Sequence, residues 1–371
     1  MIQSPDVLVV GGGIVGLSIG VALARRGAKV RLLERGSLGR EASWAGAGII
    51  YARALSHAKT PFDWLMAKGA ELHEQTALLL RDETGIDNEY RRSGEFLVAM
   101  SDENLLELTT EVELQRSHGS KTRWIDPAEL REREPSMATQ LVAVVEIPEV
   151  ARFRPPRHLK ALEIAARRAG VELVSGEEAL RVEVEGTRAT AVHTPSGRIA
   201  AGEVVLAAGA WTSALLEPLG ILAPVRPLRG QIALLRAPTP VLTRVVSTGY
   251  EYLVPRDDGR VLVGSTREDV GFDKRTTAAA ISMLLGRAAE FVPALANADV
   301  EATWSGLRPA TPDGMPILGA APGFQGLWLA AGHTRYGLHL GPITGEVMAD
   351  LILRGQTEVD LSSLSLARYY T

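Results

Sequence analysis

The sequence predicts an α/β fold in which a discontinuous parallel-sheet domain carries a second, mainly antiparallel β domain inserted into it. Three observations carry this expectation. Apolar strands run into glycine turns at the beginning, middle and end of the chain: Asp6 to Val10 before Gly11, Glu203 to Ala208 before Gly209, and Leu327 to Ala331 before Gly332. Between the last two, residues 226 to 263 switch to alternation, as in Gln231 to Leu235, Tyr252 to Pro255 and Arg260 to Val263. Such alternation marks antiparallel strands with one covered face.

The first unit is the most specific. The strand Asp6–Val10 enters Gly11-Gly12-Gly13-Ile14-Val15-Gly16, a helix follows and stops at Gly27, and a second strand, Lys29–Leu33, ends at Glu34. This is the order of a Rossmann-like dinucleotide-binding βαβ unit. Gly11 permits the tight turn, Gly13 lets the backbone approach a pyrophosphate, and Gly16 lets the helix pack close to the strand. Helix N-terminal N–H groups and the helix dipole favour the phosphate charge. Glu34, about twenty residues past the glycines, is placed to accept ribose hydroxyls. The acid argues against a 2′-phosphate, an argument tempered by Arg35. FAD and NAD are not separated at this point.

The remaining elements follow in order. Ser43 to Ile50 is built of small residues able to lie flat against a large ligand. Residues 63–84 read as an amphipathic helix, Ser93–Met100 as a strand, and 102–118 as a surface helix with an apolar stripe. Pro155–Ala169 is a helix stopped by Gly170, with a short strand at Val171–Val174. Ala179–Ile199 reads as hairpin-like, turning at Pro195-Ser196-Gly197. A helix is expected over Ala278–Phe291, and Gly341-Pro342 is expected to open the last helix. The expected partition is 1–84, 142–219 and 304–371 for the nucleotide domain, with 85–141 and 220–303 for the other.

Composition sets limits. The chain has 371 residues, 46% hydrophobic and 23% charged, which suits two domains with a large core. A net charge of -4 gives no electrostatic reason to expect nucleic acid or an anionic membrane as partner. Cysteine is absent, which excludes disulfides, thiolate catalysis and a cysteinyl-linked flavin. No run is apolar enough to span a bilayer, since Val204–Val225 is broken by Trp211, Glu217, Pro218 and Pro224. With strand residues from Asp6 onward, no signal peptide is expected, and a cytoplasmic location is. No acid or second histidine lies at ligand spacing around His333 or His339, so no metal is expected. His57 and His73 carry no motif and are expected on the surface.

The segment Trp304 to Gly319 reads as a rigid loop, its backbone fixed by prolines and glycines, that holds one arginine, Arg308. A guanidinium held this way can orient a carboxylate through two parallel donors. With this segment the chain resembles the D-amino acid oxidase family of flavoproteins, and most closely its bacterial glycine oxidase branch. The matching pieces are Gly11–Gly16 with Glu34, Ala45–Ile50, Ala207–Trp211, Tyr252–Arg256, Gly306–Gly319 and Ala330–Gly337, in family order over essentially the whole chain.

The resemblance implies non-covalent FAD with its reactive ring between the two domains. It assigns Ile14, Val15, Glu34, Arg35, Ala42, Ser43, Ala47, Gly48, Ile49, Ala179 and Gly209 to the cofactor, together with His333, Thr334, Arg335, Tyr336, Gly337, Leu338 and His339. Arg308 would clamp the substrate carboxylate with help from Tyr252, and the carbonyl of Arg335 would receive the amine. The implied reaction takes an amine to an imine by hydride transfer to the flavin, with oxygen as acceptor and hydrogen peroxide as product. The imine would serve thiazole synthesis in thiamin formation or hydrolyse. Hydride transfer needs positioning more than a general acid or base, and no paired carboxylates or His-Asp arrangement stands out. The N-terminus after Gly341-Pro342 is expected to stabilise negative charge on the reduced ring.

Two positions depart from the glycine oxidase pattern. Tyr51 stands where a very small residue belongs and Arg267 where an apolar one does. Both are expected near the pocket, reshaping or charging its mouth toward an amine other than glycine. The alternatives are a same-fold dehydrogenase using a quinone or protein acceptor, and a non-catalytic FAD-binding subunit, which the Arg308 segment argues against. A homodimer or homotetramer is the expectation by family analogy.

Overall fold

The computed structural model describes residues 4–51 and 53–370. Among them, six strands form the first sheet, in the order 317–320, 327–331, 203–206, 7–10, 30–34 and 172–175. All neighbours are parallel except Ile317–Ala320, which runs antiparallel to Leu327–Ala331. The three strand–glycine units therefore lie side by side at the centre of one sheet, and their glycine turns open at the same end. The long helix Pro61–Thr84 is started by a reciprocal cap. Thr60 Oγ1 accepts from Asp63 N at 3.1 Å and Asp63 Oδ2 accepts from Thr60 N at 3.2 Å, with Pro61 in the first turn. Gly85, at φ +74°, ends it.

A second sheet of eight strands takes the order 299–310, 226–236, 260–264, 252–255, 245–247, 95–99, 143–147 and 123–125. Its pairs are antiparallel except for Val245–Ser247 beside Glu95–Ala99. Ala143–Ile147 and the second half of Asp299–Ala310, assigned from sequence to the nucleotide part, are strands of this sheet. The hairpin-like run is a three-stranded meander, Arg181–Glu185, Arg188–Thr194 and Gly197–Ala200, with an additional turn at Gly186.

Three expectations are corrected. Arg308 is not on a loop; it lies on the strand Asp299–Ala310, opposite Leu228. That strand is at the sheet edge, where Pro309 sacrifices no ladder donor. The last helix opens at Gly337, not Gly341, and runs to Arg354 with Pro342 inside it. An interior proline frees the carbonyl four residues earlier, here that of Leu338. His73 Nε2–H donates to the Leu338 carbonyl at 2.9 Å and to that of His339 at 3.0 Å, so the freed acceptor is satisfied from another helix. His73 is accordingly not on the surface; it is fully buried and stacked on Phe153.

The last helix packs tightly on the first helix, Ile14–Arg25, because both contacts are glycines. A Cβ on Gly341 would lie 2.7 Å from Ile14, and one on Gly345 would lie 2.7 Å from the Ser18 carbonyl. The N-terminus of the last helix is thereby set beside the first glycine turn. No helix among the described residues is long and apolar enough to cross a membrane.

Candidate active site

A cavity of about 580 Å³ runs from the first glycine turn to the second sheet. At its nucleotide end, Gly11 adopts φ +111°, and a Cβ there would lie 2.3 Å from the Ala207 carbonyl of the neighbouring strand. Gly16 lies behind the wall; its Cβ would meet the Gly11 carbonyl at 1.9 Å. The helix therefore packs against the turn only because residue 16 is glycine. Gly13, Ile14 and Val15 line the cavity, where the first N–H groups of a helix have no intrahelical partners. Ser43 Oγ accepts from Ile14 N at 3.0 Å, tying the small-residue segment to this helix.

Glu34 is buried, with Oε2 accepting from Gly12 N and Oε1 from Gly36 N, both at 2.9 Å. The acid thus holds the glycine turn in shape and keeps further lone pairs for hydroxyl donors. Arg35 pairs with Glu41 at 2.9 Å, and its guanidinium lies 3.6 Å over the Trp211 ring. It is not a free cation awaiting a 2′-phosphate.

Ala42, Ala47, Gly48 and Ile49 form one wall. Gly48 adopts φ +77°, with space for a Cβ closed by the Phe153 carbonyl at 2.1 Å. Arg256 reaches across from the second sheet and donates to the carbonyls of Ala47 at 2.8 Å and Phe153 at 2.9 Å. Its guanidinium is buried beside Arg152 and Arg154, and burial first, then those charges, pushes it down to about 9. Ala179 and Gly209 complete the nucleotide end with Glu177, Glu178 and Trp211.

The last strand–glycine unit supplies His333, Thr334, Arg335, Tyr336, Gly337 and Leu338. His333 is buried, contacts Thr344 Oγ1 through Nε2 at 3.1 Å, and burial pushes it down to about 4. Thr334 sits in the left-handed region at φ +49°, which a β-branched residue rarely adopts. Its N–H donates to the Pro309 carbonyl at 2.9 Å, and its hydroxyl accepts from Thr311 N at 3.3 Å. His339 does not line the cavity. It is locked in packing, donating from Nε2 to the Met66 carbonyl at 2.7 Å and accepting from Tyr51 N at 3.2 Å.

At the other end stand Arg308, Tyr252, Tyr51, Arg335 and Arg267. Arg308 donates to Ser265 Oγ at 2.5 Å and to the Thr266 carbonyl at 3.1 Å. Among the described residues no carboxylate pairs with it. Its guanidinium lies flat on Gly230, where a Cβ would be 2.3 Å from Nη1. Tyr252 lies on Gly264 in the same way, with its hydroxyl 2.7 Å from the space a Cβ would take. Arg335 donates to the Tyr51 hydroxyl at 3.1 Å, between the rings of Tyr51 and Tyr336. Burial raises the Tyr51 phenol above its ordinary range.

The sequence reading did not single out Gly230, Gly264, Ser265 or Thr266. The signal available was a glycine interrupting each alternating strand, which marks close approach of another group. It also missed Glu95, buried behind this end, where Ser247 Oγ–H donates to it at 2.7 Å and burial pushes it up to about 7. Among the described residues no group of three or more histidine, aspartate or glutamate side chains is placed to hold a metal.

The donor set fits an adenine dinucleotide with a flat head. Bare backbone surrounds the phosphate position, an acid stands at the ribose position, and a wall of small residues leads to the arginine end. The family described as FAD dependent oxidoreductase (DAO) matches residues 6–351. The chain belongs to this family.

Glycine oxidase of Pseudomonas aeruginosa is 37% identical over 362 residues, covering 96% of this chain and 97% of that one. The crystal structure of glycine oxidase from Geobacillus kaustophilus superposes with a TM-score of 0.93 at 36% identity, covering 99% of both chains. That of iminodiacetate oxidase from Chelativorans sp. BNC1 gives 0.86 at 30% identity, covering 97% of this chain and 98% of that one. The chain is an FAD-dependent amino acid oxidase in fold and family, with the α/β architecture of those structures.

Proposed function

We propose that this enzyme oxidises small amino acids or amines such as glycine, sarcosine or a D-amino acid, with oxygen as terminal acceptor and hydrogen peroxide as product. The observation that carries the reading is Arg308. It is a half-buried guanidinium without a carboxylate partner among the described residues, set flat on a glycine and held by two acceptors, at the end of a dinucleotide cavity. An immobilised planar donor of this kind suits one carboxylate bound through two prongs.

FAD, when bound without a covalent link, supplies the two-electron acceptor for the substrate's α-hydrogen and leaves the amine as an imine. Arg308 and the Tyr252 hydroxyl fix the carboxylate, which leaves the substrate one remaining rotation. The Arg335 carbonyl receives the amine and orients its lone pair. The first turn of the last helix, at Gly337 and Leu338, presents backbone N–H groups and positive dipole to the same cavity. It takes the charge-stabilising role expected from the sequence for Gly341-Pro342. No acid or base is required at the reacting carbon.

The experiment is anaerobic mixing of FAD-loaded protein with glycine, sarcosine, D-alanine and D-proline, followed by admission of air. Bleaching of the flavin spectrum and its rapid return with peroxide release are expected. Persistence of colour with all four amines would reject amine oxidation. Bleaching with slow return in air would reject oxygen and favour a quinone or protein acceptor.

A further inference from the structure

We infer that the arginine end of the cavity is a two-anion site, in which Arg267 takes a second acid group of the substrate. The preferred substrates are then amino acids or secondary amines bearing two carboxylates. This rests on the amine-oxidation reading and narrows it.

The charged side chains lining this end are all cationic: Arg308, Arg335 and Arg267. An α-amino acid brings one carboxylate, and Arg308 accounts for it. Arg335 is engaged by the Tyr51 hydroxyl and two aromatic faces. Arg267 is exposed and makes no hydrogen bond or ion pair among the described residues. The cavity's acids do not neutralise it. Glu34 is held by backbone N–H groups, Glu41 by Arg35 and Lys274, Glu177 by Ser196, and Asp313 by Arg368 and Tyr369, while Glu178 stands beside Glu177 at the nucleotide end and has no ion pair with Arg267.

The register places Arg267 beside Arg308. Gln231 N donates to Thr266 Oγ1 at 2.9 Å, and Arg229 and Glu268 exchange backbone hydrogen bonds at 2.9 and 3.0 Å. Arg267, between these two pinned residues, stands opposite Gly230. Opposed residues of an antiparallel pair share a face, with Cβ positions about 5 Å apart. The face of Gly230 is where the Arg308 guanidinium lies, since a Cβ there would touch Nη1 and Nη2 at 2.3 and 2.5 Å. Two guanidinium-bearing side chains therefore rise from one face, one clamped and the other free. The residues on either side of Arg267 are fixed: Thr266 by Gln231, and Glu268 by Arg229, with its carboxylate also accepting from Gln231 Nε2. A substrate with carboxylates a few bonds apart can span the pair.

The test compares anaerobic flavin reduction by iminodiacetate and sarcosine, and by D-aspartate and D-alanine, in wild type and Arg267→Met. One charge-assisted contact predicts a diacid preference of at least about tenfold in kcat/KM, carried by KM and reduced by salt. Arg267→Met should bring both ratios to about one, with Arg267→Lys between. A second readout is calorimetric binding of glutarate and butyrate, with glutarate tighter in wild type and the two equal in Arg267→Met. Equal ratios in wild type and folded Arg267→Met, or preference for the monoacids, would overturn the assignment. If sarcosine and D-alanine bleach the flavin without a diacid preference, only the two-anion site fails. If no amine bleaches it, the underlying reading fails.

Discussion

Arg308→Ala is the perturbation with the most direct consequence. Arg308, the proposed anchor, offers a carboxylate two parallel donors, while two of its other N–H groups go to Ser265 Oγ and the Thr266 carbonyl. Hydrogen bonds between charged groups contribute about 1.5–3 kcal/mol each, so losing two removes about 3–6 kcal/mol of transition-state binding. That corresponds to a fall of roughly 10²–10⁴ in kcat/KM. Arg308→Lys keeps the charge without the fork and should fall between the variant and wild type. The assay is stopped-flow anaerobic reduction over a range of substrate concentrations, with FAD content measured in parallel. Turnover of Arg308→Ala within threefold of wild type, at full FAD occupancy, would refute the carboxylate anchor.

Gly230→Ala should reproduce much of this loss without touching Arg308, because the new methyl would stand 2.3 Å from Nη1; unchanged kcat/KM would show that the guanidinium does not need that seat. Glu34→Ala leaves the N–H groups of Gly12 and Gly36 unpaired, at about 1–3 kcal/mol each. FAD titration should give weaker binding and thermal melts a lower Tm, and intact affinity would count against Glu34 as the shaping acid. His73 and His333 are held down to about 4, and His158 and His339 to about 3, in each case first by burial. Their folded pKa values lie below the unfolded value of about 6.5, so stability is full above that pH and is lost as pH falls toward 4, by up to about 1.4 kcal/mol per unit for each titrating ring. Urea midpoints that stay level from pH 7.5 to 5 would contradict this. Glu95 is shifted the other way, to about 7, so its contribution is full below the ordinary carboxylate range and lost as pH rises through 7. Glu95→Gln should therefore flatten the decline between about pH 4.5 and 7, and an unchanged profile would exclude Glu95 as its source.

The parts legible in the sequence were those governed by local rules. The first βαβ unit, the helix Ala278–Phe291 and the cap-bounded helices announce themselves through glycine, proline and periodicity within a few residues. Pro342 misled because its cost depends on a partner 269 residues earlier, His73, which no periodicity connects to it. Arg308 looked like a loop residue because prolines flank it, and only the edge position of its strand makes Pro309 harmless. The seats for Arg308 and Tyr252, Gly230 and Gly264, lie on other strands and became visible only through register. Glu95 carries no local signal, since its protonation is set by what buries it.

The bond from Thr334 N–H to the Pro309 carbonyl joins the strand of Arg308 to the turn that lines the cofactor cavity. Thr311 N returns to the Thr334 hydroxyl. With Arg308 as the proposed anchor, the distance between substrate and cofactor becomes a property of this short stapled corner rather than of how the two sheets are docked. A hinge between the sheets could not alter it without breaking that corner, whereas the exposed side chains of Tyr250 and Arg267 line the same cavity outside it.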